Sequence, residues 1–95
     1  MKAVWNGTVI AESNETIVVE GNHYFPPSSV NKELLTDSSH QTVCGWKGTA
    51  NYFNLKDASG AEKKNAAWYY ANPKDAAKNI KDYVAFYSFV SVTEA

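Results

Sequence analysis

The chain has 95 residues and no arginine, and that absence excludes more than any residue present. The bidentate guanidinium clamp that many phosphate and carboxylate sites use is not available. Lysines number 9 against 10 acids, for a net charge of -1. No basic surplus exists to hold a nucleic-acid backbone, so no nucleic-acid partner is expected. Cysteine is nearly absent too. Cys44 stands alone, cannot close an internal disulfide, and leaves nothing that requires an oxidising compartment. Zinc centres built from four cysteines, or from two cysteines and two histidines, fail on the count. No apolar run approaches the roughly 18 residues of a membrane span. The start, Met1-Lys2-Ala3-Val4-Trp5-Asn6-Gly7, turns polar too soon for a secretion signal. The expected setting is cytoplasmic, away from membranes. The glycosylation sequons at Asn6 and Asn14 are then expected to be chance matches.

Motifs that grip phosphate are also missing. There is no Gly-x-Gly-x-x-Gly and no P-loop. Nucleotidyl transfer needs paired carboxylates for two metals, yet the chain has no Asp-x-Asp and no Gly-Ser-x-x-Asp. Most acids fall in expected turns or on helix surfaces. Glu20 differs, ending an apolar run just before Gly21, where a carboxylate can point into a cavity. No cofactor is expected.

Aromatic residues are plentiful, at 14% of the chain: 3 Trp, 6 Tyr and 4 Phe. A chain of this length forms one domain, here residues 1–95, and buries roughly 60–65% of its unfolded surface. Large rings can carry so small a core. Ala3 to Ala11 predicts a first strand, with Asn6-Gly7 as either a hairpin turn or a bulge. Thr16 to Glu20 predicts a second strand, Gly21-Asn22 a turn, and His23 to Phe25 resumed extended chain up to Pro26-Pro27. A short helix capped by Ser28 or Ser29 is expected through Leu35. A polar loop, Asp37 to His40, follows. Gln41 to Trp46, Thr49 to Leu55 and Lys64 to Tyr70 predict three more strands. Asn72, with Pro73 at the first helical position, predicts a second helix through Ile80. Asp82 to Val92 reads as one last strand covered on both faces. The sum is a mainly β, single-domain fold of about six mostly antiparallel strands and two short helices. The strands lie too close in sequence for parallel crossovers.

The chemistry concentrates in the twelve positions from Thr42 to Phe53. If Thr42, Cys44 and Trp46 share a strand, they share a face. Cys44 is a candidate nucleophile if His23, His40 or Lys47 lowers its pKa; the competing reading is a small core thiol. His23, His40, Cys44 and Glu20 show no metal-ligand spacing, so no metal site is expected. Trp46, Trp68, Tyr24 and Tyr52 can together form an aromatic box, which would bind cations, flat heterocycles or imides by stacking. The alternative is that these rings fill the core. Lys47 lies between Gly45 and Gly48, where it can anchor an anionic group or serve as a desolvated amine, or simply be a solvated turn lysine.

One resemblance spans nearly the whole chain. Its elements are Asn6-Gly7, Val9-Ile10-Ala11-x-Ser13, Thr16, Glu20-Gly21-Asn22-x-Tyr24-Phe25-Pro26 and Ser29-Val30. They continue with Thr42-x-Cys44-x-Trp46-Lys47-Gly48-x-Ala50-x-Tyr52, Ala67-Trp68-x-Tyr70-x-x-Pro73, Ile80 and Val84-Ala85-Phe86. This pattern resembles the small bacterial family known as domain of unknown function 427, which also carries a nucleotidyltransferase-like name. The resemblance implies a β-tent type of fold, similar in architecture to B-type methionine sulfoxide reductases and the thalidomide-binding domain of cereblon. The chain departs from both in lacking paired Cys-x-x-Cys zinc ligands.

Three functions are therefore expected to compete. The leading one is a small-ligand-binding domain, with Trp46 and Trp68 stacking, Tyr24 and Tyr52 lining the cavity, and Glu20 and Lys47 as polar anchors. The second is an enzyme using Cys44, or Glu20 with Lys47 as an acid–base pair. The third is a structural or partner-binding module, for instance a homo-oligomer joined through an edge strand.

Overall fold

The Asn6-Gly7 pair makes the first hairpin. In the computed structural model, which describes residues 1–95, β1 (Lys2–Trp5) runs antiparallel to β2 (Thr8–Glu12), with Trp5 opposite Thr8. Asn6 and Gly7 both have positive φ, 50° and 74°, as a two-residue type I′ turn requires. The register also slips between Ala3 and Val4. This bulge lets Ile10 and Ala11, neighbours in sequence, both turn inward and be buried. The expected single strand is thus a hairpin and a bulge together.

A second hairpin joins β3 (Ile17–Val19) to β4 (Asn22–Tyr24). Its turn is Glu20-Gly21, with φ of 53° and 79°, one residue earlier than expected, because Asn22 already pairs with Val19. The helix expected up to Leu35 is replaced by two isolated 3₁₀ turns, Pro27–Ser29 and Lys32–Leu34. The Ser29 hydroxyl donates back to the Pro26 carbonyl at 2.7 Å instead of capping a helix.

The main sheet has four antiparallel strands in the order β5 (Leu35–Cys44), β6 (Gly48–Lys56), β7 (Glu62–Tyr69) and β8 (Val84–Phe86). The expected loop Asp37 to His40 lies within β5. Its polar residues suit an edge strand washed by solvent, and a register irregularity between Asp37 and Gln41 accommodates them. Conversely, β5 stops at Cys44, so Trp46 is not in a strand. The expected last strand splits in two at a turn closed by the Val90 N–H on the Tyr87 carbonyl, at 3.0 Å. Its first part is β8, buried throughout. Its second, β9 (Ser91–Thr93), joins another sheet, of order β2-β1-β9. No glycine or proline marks that break in the sequence. The observed tally is nine strands in three sheets.

The second expected helix is a kinked 3₁₀ stretch, Asp75–Ile80, beginning after Lys74 with no side-chain cap. Asn72 and Pro73 instead pack their backbone against the β5–β6 turn. The Lys74 N–H donates to the Lys47 carbonyl at 2.9 Å. A Cβ at Gly48 would stand 3.4 Å from the Asn72 carbonyl, and the Gly48 φ of +111° is one that only glycine adopts easily.

The apolar interior divides into two clusters. One holds Trp5, Ile10, Phe25, Leu55, Val84 and Phe86, with smaller residues between them. The other, mostly on the opposite side of the main sheet, holds Tyr24, Ala50, Tyr52, Tyr70, Ala77, Ile80 and Ala85. Paired backbone hydrogen bonds between Phe25 and Val84, 2.8 and 2.9 Å, tie the end of the second hairpin to β8. That tie brings the Glu20-Gly21 turn over the second, tyrosine-rich cluster, where the candidate site lies.

Candidate functional site

Two turns meet at Lys47. The β5–β6 turn, Gly45-Trp46-Lys47, supplies the lysine, and the β3–β4 turn supplies Glu20. Their side chains form an ion pair across 27 residues of sequence. Lys47 is 7% exposed and is the one buried charged residue of the chain. Its ammonium lies 5.4 Å from the Trp46 ring centre and 5.6 Å from that of Tyr70. A buried ammonium is tolerable only with such partners. Burial works against the Lys47 charge, but the Glu20 hydrogen bond and the electrostatic pull of Tyr24, Tyr70 and Glu20 overcome it, so its pKa is raised. The Glu20 carboxyl is lowered, chiefly by its hydrogen bond from Lys47, with a smaller contribution from Trp46. This is a closed ion pair. A neutral, nucleophilic lysine would need the opposite shift.

Beyond Lys47 the aromatic side chains form a connected run. The Trp68 indole N–H donates to the Tyr24 hydroxyl at 3.0 Å, and the two rings meet edge to face with centres 6.3 Å apart. Trp68 also lies against Tyr87, at 4.7 Å between centres. Tyr87 stacks near Tyr52, at 6.4 Å, with the two hydroxyls 3.3 Å apart. The Tyr52 hydroxyl reaches Thr42 Oγ1 at 2.9 Å, and its ring touches His40 at 4.6 Å. Phe89 extends the run from Tyr87, with Lys63 over its face at 5.0 Å. The Tyr52 hydrogen bond, reinforced by burial, pushes the Tyr87 phenol up to about 12. It stays neutral at any ordinary pH.

Part of this run walls a cavity of about 500 Å³. The second hairpin contributes Gly21, Asn22 and His23; β7 contributes Trp68; the chain from β8 to β9 contributes Tyr87 and Ser88 together with Phe86, Val90 and Val92. His23 is held by a 3.0 Å hydrogen bond between its Nδ1 and Thr16 Oγ1.

Of the four box residues expected from the sequence, Tyr24, Trp68 and Tyr52 therefore belong to one aromatic run. Trp68 lines the cavity, while Tyr24 holds its indole and Tyr52 holds Tyr87, neither tyrosine lining the cavity itself. Trp46 stands apart. It makes no ring–ring contact with the others, is 42% exposed and stacks on Lys47. A shared strand face would link Cys44 to Trp46, but β5 ends at Cys44 and Trp46 lies in the turn that follows. Cys44 is half-buried against the tyrosine-rich cluster. His23, His40, Cys44 and Glu20 form no group able to share a metal ion. Tyr87, Asn22 and Ser88 were not expected at the site. Tyr87 lay hidden in what reads as a continuous strand.

The comparison with known families matches residues 1–94 to the domain of unknown function 427 model. The chain belongs to the DUF427 family. No curated protein matches it closely enough to lend an activity. The DUF427 model also carries a nucleotidyltransferase name; in this chain no three or more His, Cys, Asp or Glu side chains gather at one point.

Proposed function

We propose that this DUF427 protein binds a small planar molecule in the cavity walled by Trp68 and Tyr87. The observation that carries the reading is the state of Trp68. Its N–H is committed to Tyr24, which fixes the orientation of the indole, and its side chain lines a recess of about 500 Å³. That volume falls within the range of roughly 300–1,000 Å³ common for ligand pockets. A few polar groups at the rim, Asn22, His23 and Ser88, supply orientation. The Lys47–Glu20 pair contributes indirectly, by pinning the second hairpin, which forms one wall, onto the main sheet.

The test is a metabolite library followed by thermal shift, with wild type and Trp68→Ala compared. Hits that stabilise wild type should lose about fivefold or more in affinity in the variant, since a base stacked on an aromatic residue is worth roughly 1–3 kcal/mol. A library that leaves the wild-type midpoint unmoved, or hits that Trp68→Ala retains in full, would count against the reading.

A second reading rests on β5. It is an edge strand of 10 residues paired only with β6, without lysine or proline to discourage further pairing, and its Val43 is 80% exposed. Association of two copies along this edge is read out by sedimentation velocity across concentrations. A monomer throughout removes it.

A further inference from the structure

We infer that the Trp68 cavity selects uncharged ligands and rejects phosphorylated ones. This deepens the binding reading above and rests on it. None of the residues lining the cavity is Asp, Glu or Lys, and the chain has no arginine at all. Its ionisable members are Tyr87, held neutral by Tyr52, and His23, one ring nitrogen of which is taken by Thr16. The nearest buried cation, Lys47, is closed off by Glu20, Trp46 and Tyr70. Lys63 stands over Phe89, at the far end of the aromatic run. A phosphate or carboxylate entering this recess would give up water and find no lysine or arginine among the lining residues. A cationic ligand would find aromatic rings but no carboxylate among the lining residues to pair with. What the walls do match is a neutral ring: a face for Trp68 and Tyr87, and hydrogen-bonding edges for Asn22, Ser88 and the remaining nitrogen of His23. A nucleobase or nucleoside fits that description. A nucleoside triphosphate, the substrate class suggested by the family's transferase name, does not.

Isothermal titration calorimetry with matched probes decides the matter. The sets are adenosine with its 5′-monophosphate, thymidine with its 5′-monophosphate, and benzamide with benzoate and benzylamine, each titrated into wild type and Trp68→Ala. The uncharged member of at least one set is expected to bind about tenfold or more tightly than its charged analogues, and to lose that binding in the variant. Charged members that bind as tightly as neutral ones, with Trp68→Ala weakening both, overturn the charge selectivity while the stacking site stands. No heat from any probe up to millimolar concentration, or binding indifferent to Trp68, overturns the cavity itself and this inference with it.

Discussion

Lys47 shows how much one residue can be asked to do. Its backbone carbonyl holds the Asn72–Lys74 segment, its ammonium holds Glu20, and two aromatic rings cover what remains. Glu20 sits at a φ of 53°, unusual for a residue other than glycine, asparagine or aspartate. The turn tolerates that conformation where the carboxylate meets Lys47. The pH dependence follows from the direction of the Glu20 shift. Its carboxyl is depressed below the ordinary 4.5 in the folded chain, so its contribution is fully present above that value and is lost as pH falls through the folded value. Urea unfolding measured at neutral pH and at successively lower pH should show an acid decline that is smaller in Glu20→Gln. An unchanged decline would mean that the pair does not stabilise the fold. The existence of Glu20 and Lys47 as special residues was legible in the sequence, because each breaks a local pattern. Residue type alone groups them, as polar anchors of one cavity or as an acid–base pair; their direct ion pair is not legible there. It depends on a packing of two turns separated by 27 residues, which no local pattern encodes.

At the scale of elements, turns that need glycine or asparagine at positive φ are visible in the sequence to within a residue, and turns without such demands are not. Asn6-Gly7 marks an irregular point, a hairpin turn or a bulge, because positive φ at both positions of a type I′ turn favours those residues. The break at Tyr87 uses residues that serve equally well in a strand, so β8 and β9 read as one. The helices failed for a related reason. Asn72-Pro73 has the chemistry of a helix start, but tertiary packing uses that backbone against Gly48, and only 3₁₀ turns follow. Gly48 is where this packing is most exposed to test. An alanine there must adopt a φ of +111° and bring its Cβ to 3.4 Å from the Asn72 carbonyl. Gly48→Ala should cost about 1–3 kcal/mol in chemical denaturation. A loss below about 0.5 kcal/mol would show that the turn and the 72–74 segment are not tightly coupled.

For the whole molecule, the main sheet separates two cores of different character. The first is aliphatic and phenylalanine-rich, and the second is built on tyrosines, two of whose hydroxyls hydrogen-bond to the cavity-lining residues Trp68 and Tyr87. High aromatic content is visible in composition, but which rings serve stability and which serve a surface emerges only from this division. Leu55, fully buried in the first core, should cost about 2–5 kcal/mol when replaced by alanine. A denaturation midpoint near that of wild type would contradict the assigned core. By contrast, Trp68 is only partly buried, and its replacement should act mainly on binding. The most direct measurement of the central claim is a ¹⁵N NMR titration with any small-molecule hit, following the indole N–H signals of Trp5, Trp46 and Trp68 together with the Gly21 amide. The Trp68 and Gly21 signals are expected to move in step with saturation while Trp5 and Trp46 stay in place. Saturable shifts confined to Trp46, with Trp68 unmoved, would contradict that claim.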